Sequence, residues 1–348
     1  MTWDVIAARP AAQEDGDTYT PRRFAMQRRD FLKFAAAIAA SAAAGAGASE
    51  PGDAAAGAET LDAQAWAASR RFVRTSAGSI AVVERGAGPA ALFLHGFPLN
   101  SYQWRGALER LSPYRRCVAP DFLGLGHTEV APGQSLSPQA QADMLAELMD
   151  KLHIDSADLV ANDSGGAVAQ IFLARYPQRV RSLLLTNCDT EIDCPPPAML
   201  PVIDMSKAGT FADQWFEPWL ADKNLARSAA GLGGMCYANP TQLADETLEA
   251  YLRPLVSTPQ RKARMHAYAA ALEANSLSGI GPALKTSKVP VRVLWGMADT
   301  IFLPHGASHL ERAFGKPQGV RRLEGAKLFW PEERPDLIAR EARALWRA

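Results

Sequence analysis

The stretch Leu159-Val160-Ala161-Asn162-Asp163-Ser164-Gly165-Gly166 stops an apolar run at polar residues and a pair of glycines. It reads as a strand that bends sharply into a helix. A side chain at such a bend is pushed out of the sheet into the cleft above it, and small residues two before and two after allow the backbone to turn so tightly. With Asp163 at the bend, Ala161 and Gly165 hold the small positions. A shift of one residue puts Ser164 at the bend and Asn162 in a small position, where it fits less well.

Around this corner, strand and helix patterns alternate. Continuous apolar runs at Pro89–Leu94, Asp158–Asp163, Arg181–Cys188 and Val289–Trp295 are separated by helical patterns such as Pro138–Leu152, for which Ser137 is a plausible cap. That alternation predicts a mostly parallel sheet covered on both faces. From Cys194 to about Ile280 it breaks, giving prolines and helical patterns rich in Trp and Tyr without a strand run.

The corner resembles the nucleophile elbow of the α/β-hydrolase family, and further motifs stand at the spacings that family uses. His95-Gly96-Phe97-Pro98 resembles the His-Gly-x-Pro turn of epoxide hydrolases and haloalkane dehalogenases. Asp121-Phe122-Leu123-Gly124-Leu125-Gly126 resembles their Asp-x-x-Gly-x-Gly loop, and Trp295-Gly296-Met297-Ala298-Asp299 their Trp-Gly-x-x-Asp turn. The resemblance covers about residues 70–347. It implies an α/β-hydrolase fold with a mostly parallel eight-stranded sheet flanked by helices. Residues 70–193 and 281–348 then form the core and 194–280 a helical cap. It also implies that Asp163 is the nucleophile, Asp299 the acid of the triad, and the backbone N–H groups of Phe97 and Ser164 the oxyanion hole. His95 is expected to be a structural hydrogen-bonder and His127 a solvated loop residue. One or two cap tyrosines could face the cleft.

The identity of the nucleophile selects the chemistry. A serine suits acyl transfer and needs a base to remove its proton. An aspartate is already ionised and can displace a halide or open an epoxide at saturated carbon, leaving an ester that water must cleave. That second step needs a base, which the family supplies as a histidine after the last strand. Here Leu328 occupies that position within Ala326-Lys327-Leu328-Phe329-Trp330-Pro331. His305 and Lys327 are the nearby alternatives, and His305 reads better as an exposed residue at a helix start. The expected function is therefore hydrolysis of a carbon–halogen or epoxide bond through Asp163. The competing readings are a serine esterase or lactonase using Ser164, and a binding protein that has lost turnover.

With 37 basic and 37 acidic residues in 348 there is no net charge to attract nucleic acid or anionic lipid. Arg28-Arg29-Asp30-Phe31-Leu32-Lys33, followed by the apolar run Phe34–Ala44, resembles a twin-arginine export signal over residues 1–48, with Met26 as a possible true start. The run is too short and alanine-rich for a stable membrane anchor. The expected partners are a small-molecule substrate and the twin-arginine export machinery, and the expected location is periplasmic or secreted. Residues 49–69 have linker composition. The four cysteines show no metal spacing, Cys188 and Cys194 being the only close pair, and no cofactor is implied.

Overall fold

A computed structural model describes residues 62–348. The expected signal segment, its alternative start at Met26 and most of the expected linker lie outside the described residues. Among the described residues nine strands form one sheet: β1 Arg71–Thr75, β2 Gly78–Arg85, β3 Ala90–Leu94, β4 Arg116–Pro120, β5 Glu129–Val130, β6 Ala157–Asp163, β7 Val180–Cys188, β8 Val291–Gly296 and β9 Pro317–Leu323. Their order is β1-β2-β4-β3-β6-β7-β8-β9, with the two-residue β5 pairing β2 at the side. The expected count of eight describes the continuous path, and β5 is the addition; a two-residue pairing leaves no periodic signal in the sequence. β1, β2 and β5 pair antiparallel, while β3, β4 and β6 to β9 run parallel.

The central strands β3 and β6 are buried along their whole length, which explains why both are apolar runs without alternation. The chain steps from β3 to β4 on one side and then crosses to β6 on the other. Such a reversal opens a crevice at the carboxyl ends of the strands, the usual seat of a ligand in an α/β sheet. The turn after β3, the corner after β6 and the turn after β8 all lie at this end. Helices Pro138–Lys151 and Ser164–Arg175 cover the sheet, the first capped by Ser137, whose hydroxyl accepts from the Ala140 amide at 3.3 Å. Between β7 and β8 the chain forms helices and no strand of the sheet, including Leu200–Lys207, Asp245–Val256 and Pro259–Ala270.

The linker expectation for residues 49–69 needs correction at its end. Ala63–Ala68 is a helix, begun by the Asp62 carboxylate accepting from the Ala65 amide at 2.7 Å. Trp66 is only 1% exposed and packs edge-on against Tyr102, with ring centroids 5.8 Å apart. Averaging an alanine-rich window hid the one aromatic that docks it. Trp66→Ala should therefore cost about 3–5 kcal/mol of stability, read as a lowered urea midpoint with unchanged slope.

All four cysteines are free, so the close pair Cys188 and Cys194 forms no disulfide. No helix among the described residues is long and apolar enough to cross a membrane.

Candidate active site

Asp163 ends β6 and caps the helix that starts at Ser164. Its backbone lies at φ 57° and ψ −137°, a region that residues with a side chain rarely occupy. The strained bend is thus at Asp163, while Ser164 is already helical. Two glycines make the corner possible. A Cβ on Gly165 would lie 2.5 Å from the His95 carbonyl oxygen, and one on Gly96 would lie 2.2 Å from the Asp163 Cβ.

That close approach brings the turn after β3 onto the Asp163 carboxylate. The Phe97 amide donates to Oδ1 at 3.0 Å, and the Ser164 amide donates to the same oxygen. The two amides expected to form the oxyanion hole therefore converge on one oxygen of Asp163. His95 has the structural role expected of it: Nε2 accepts from the Phe122 amide at 3.0 Å. Behind it, Gln103 accepts from the Gly96 amide at 3.2 Å and donates to Asn162 Oδ1 at 2.6 Å.

Asp299 follows β8 and is buried. Its Oδ2 accepts from Asn187 Nδ2 at 2.8 Å and its Oδ1 from the Ile301 amide at 2.8 Å, so it closes its own turn rather than capping the helix at His305. Asn187 also accepts from the Gly296 amide at 2.7 Å and from Trp330 Nε1 at 3.1 Å. Leu328, 1% exposed, is tied by its backbone to the segments that carry the two aspartates: its carbonyl accepts from Asn162 Nδ2 at 3.2 Å, and its loop is joined to the Asp299 turn by Ala298 N to Ala326 O at 2.9 Å. No imidazole replaces it. His305 pairs with Asp193 at the exposed start of its helix, and Lys327 Nζ donates to the Gly234 carbonyl at 2.6 Å.

The cap closes the cleft with aromatic rings. Tyr268 stacks on Phe97 at 5.8 Å between centroids, and its hydroxyl lies 2.9 Å from Ser164 Oγ. Phe211 and Phe216 complete the packing around Phe97 at 6.1 and 6.4 Å. Sequence reasoning anticipated a cap tyrosine but had no signal to select Tyr268. It missed Asp189, a 6% exposed carboxyl one residue past β7, because nothing local distinguishes it from a loop aspartate. It also misjudged His127, whose half-buried ring lies in the fields of Asp121, Arg70 and Arg261 rather than in solvent.

Burial sets the electrostatics. It raises Asp163 to about 6, against the opposing pull of the two amides, and raises Asp299 to about 7, with the Asp163 charge adding to the rise. Both carboxyls hold protons more tightly in the folded chain than in the unfolded one. Each therefore supports the fold fully below about pH 4, and that support is lost as pH rises through 6 to 7. Asp163→Asn removes one of these titrations. Its stability relative to the parent should be near parity at pH 4 and rise by roughly 2–3 kcal/mol by pH 8, measured by urea unfolding at both values. A difference that does not change with pH would contradict the assignment. Among the described residues no three His, Cys, Asp or Glu side chains come together to hold a metal ion.

A strained carboxylate held by two backbone amides under a helical cap, at the switch point of a parallel sheet, defines a hydrolase-type site. The chain belongs to the alpha/beta hydrolase fold family, whose model matches residues 89–327. It is 26% identical over 292 residues to haloalkane dehalogenase 2 of Mycobacterium tuberculosis, covering 80% of this chain and 96% of that protein. It is 39% identical over 114 residues to epoxide hydrolase 2 of Siraitia grosvenorii, covering 32% of this chain and 36% of that one. Among solved structures it is similar to Cfl2 of Burkholderia cenocepacia, with a TM-score of 0.64, 27% identity, and coverage of 79% of this chain and 94% of that one.

Proposed function

We propose that this chain is a hydrolase that attacks a small organic substrate at a carbon–halogen or epoxide bond, with Asp163 as the nucleophile. The supporting observation is the convergence of the Phe97 and Ser164 amides on Asp163 Oδ1. They leave Oδ2 outside the amide pair, as an oxygen that can attack saturated carbon. Once the ester forms on Oδ2, Oδ1 becomes its carbonyl oxygen and already lies where developing negative charge is stabilised. Similarity to a haloalkane dehalogenase and an epoxide hydrolase agrees with this chemistry.

The serine reading has less support. Ser164 Oγ meets the Tyr268 hydroxyl and no histidine, and its amide is committed to Asp163. We further propose, from residues 28–44 of the sequence, that the chain is exported in folded form by the twin-arginine route and acts in the periplasm or outside the cell.

The test is intact-mass analysis after incubation with haloalkane and epoxide panels, followed by peptide mapping. A mass increment equal to the added alkyl group and located on Asp163 is the expected result. Labelling of Ser164 by a phosphonate probe, with Asp163 unmodified, would replace this reading with the esterase.

A further inference from the structure

Without a histidine, the cycle needs another group to move protons. The group must lie in the cleft beside Asp163, must be able to give and take a proton, and must not already be bound up in holding the fold. Among the described residues, Asp189 meets all three conditions.

In the parallel register of β6 and β7, Cys188 stands opposite Asp163, and parallel neighbours lie about 4.8 Å apart. Asp189 is the next residue, just past the carboxyl end of β7, and its charge interacts with those of Asp163 and Tyr268. Its backbone carbonyl is anchored by Gln170 Nε2 at 2.9 Å, while the residue remains 6% exposed. The Cys188 side chain is turned towards the helix behind the sheet, where its Cβ lies 2.2 Å from a Cβ built on Gly166. The titratable groups facing Asp189 are Asp163, Cys194, which donates a thiol hydrogen bond to it, and Tyr268 of the cap, with Cys188 beside it in the chain. No arginine, lysine or histidine is among them.

We propose that Asp189 is the proton-transfer residue of this site and that epoxides, rather than haloalkanes, are the substrates carried through a full cycle. This rests on the reading of Asp163 as nucleophile. The protons balance as follows. Asp163 Oδ2 attacks an epoxide carbon, the carbon–oxygen bond breaks, and the freed oxygen takes the proton of Asp189. The products are a hydroxyalkyl ester on Asp163 and a carboxylate at Asp189. Water then adds to the ester carbonyl carbon and gives one proton to Asp189, while the charge on Oδ1 is held by the Phe97 and Ser164 amides. Collapse breaks the bond to the alkoxy oxygen, the proton of the new carboxyl passes to that oxygen, and the diol leaves. Asp163 is again a carboxylate and Asp189 again an acid.

A halide leaves without needing a proton. Asp189 then stays protonated, cannot act as a base, and the alkyl ester persists. The electrostatics agree with this division: burial pushes Asp189 well above the ordinary carboxylate range and the Asp163 charge pushes it further, so Asp163 ionises first. Tyr268 is a weaker acid for the step, since burial raises it above its ordinary range and its hydroxyl is engaged with Ser164 Oγ.

The experiment compares the full chain with Asp189→Asn on two probes, styrene oxide and 1-bromobutane, following diol release and the Asp163 ester by mass. The parent should release styrene diol over many turnovers and retain a butyl ester. In Asp189→Asn, diol release should fall at least 100-fold, while butyl ester formation falls less than tenfold and shows that the variant is folded. Asp189→Glu should recover part of the diol release. Unchanged diol release in Asp189→Asn overturns the role of Asp189 alone. Absence of any Asp163 ester or diol from the parent overturns the nucleophile reading and this proposal with it.

Discussion

Replacing Leu328 with histidine should, under the proposed mechanism, convert accumulation of an alkyl ester on Asp163 into continued turnover of haloalkanes. The buried Leu328 is bonded through its carbonyl to the Asn162 side chain, one residue before Asp163, and belongs to the loop bonded to the Asp299 turn. The proposed mechanism would use an imidazole there together with Asp299, a carboxylate already oriented by Asn187 and the Ile301 amide. Histidine and leucine are similar in volume, so the substitution fills the site without a large void. A positioned base contributes about 10²–10⁴-fold to a hydrolytic step. The expected outcome is decay of the butyl ester at least about 100-fold faster than in the parent, with halide release continuing past one equivalent. The measurement is halide titration over time together with intact mass. An ester that persists unchanged in Leu328→His would show that the vacancy at this position is not what limits release.

The larger effect belongs to Asp163→Asn. Asn can accept the same two amide hydrogen bonds but carries no negative charge, so the bend should be kept and the attack lost. Removing a covalent nucleophile costs on the order of 10⁴-fold or more in rate. Diol release, halide release and the mass increment should all disappear, while far-ultraviolet circular dichroism stays that of the parent. Because this variant is also expected to gain stability at pH 8, its inactivity cannot be ascribed to unfolding. Turnover within tenfold of the parent would exclude Asp163 as nucleophile.

Much of the core could be read from the chain because its signals are local. The apolar runs of β3, β6, β7 and β8 and the glycines at the corner each reflect a constraint acting within a few residues. The Phe97 and Ser164 amides could be placed for the same reason, since a turn motif fixes where its backbone points. What could not be read depends on contacts between distant segments. Trp66 docks on Tyr102 from across an alanine-rich stretch, and Tyr268 reaches Ser164 from 104 residues away. Asp189 became visible only when the strand register put its neighbour opposite Asp163. The His127 ring was misjudged similarly, because the arginine near it in space, Arg261, comes from the cap.

Asn187 has a consequence beyond its hydrogen bonds. By gripping Asp299, the Gly296 amide and Trp330 together, it holds in place the carboxyl that, under the proposed mechanism, an imidazole at position 328 would use. Under that mechanism a single amino-acid replacement, at position 328, separates this scaffold from a complete relay. Saturating position 328 with all twenty residues and screening for continued halide release from 1-bromobutane should return histidine repeatedly.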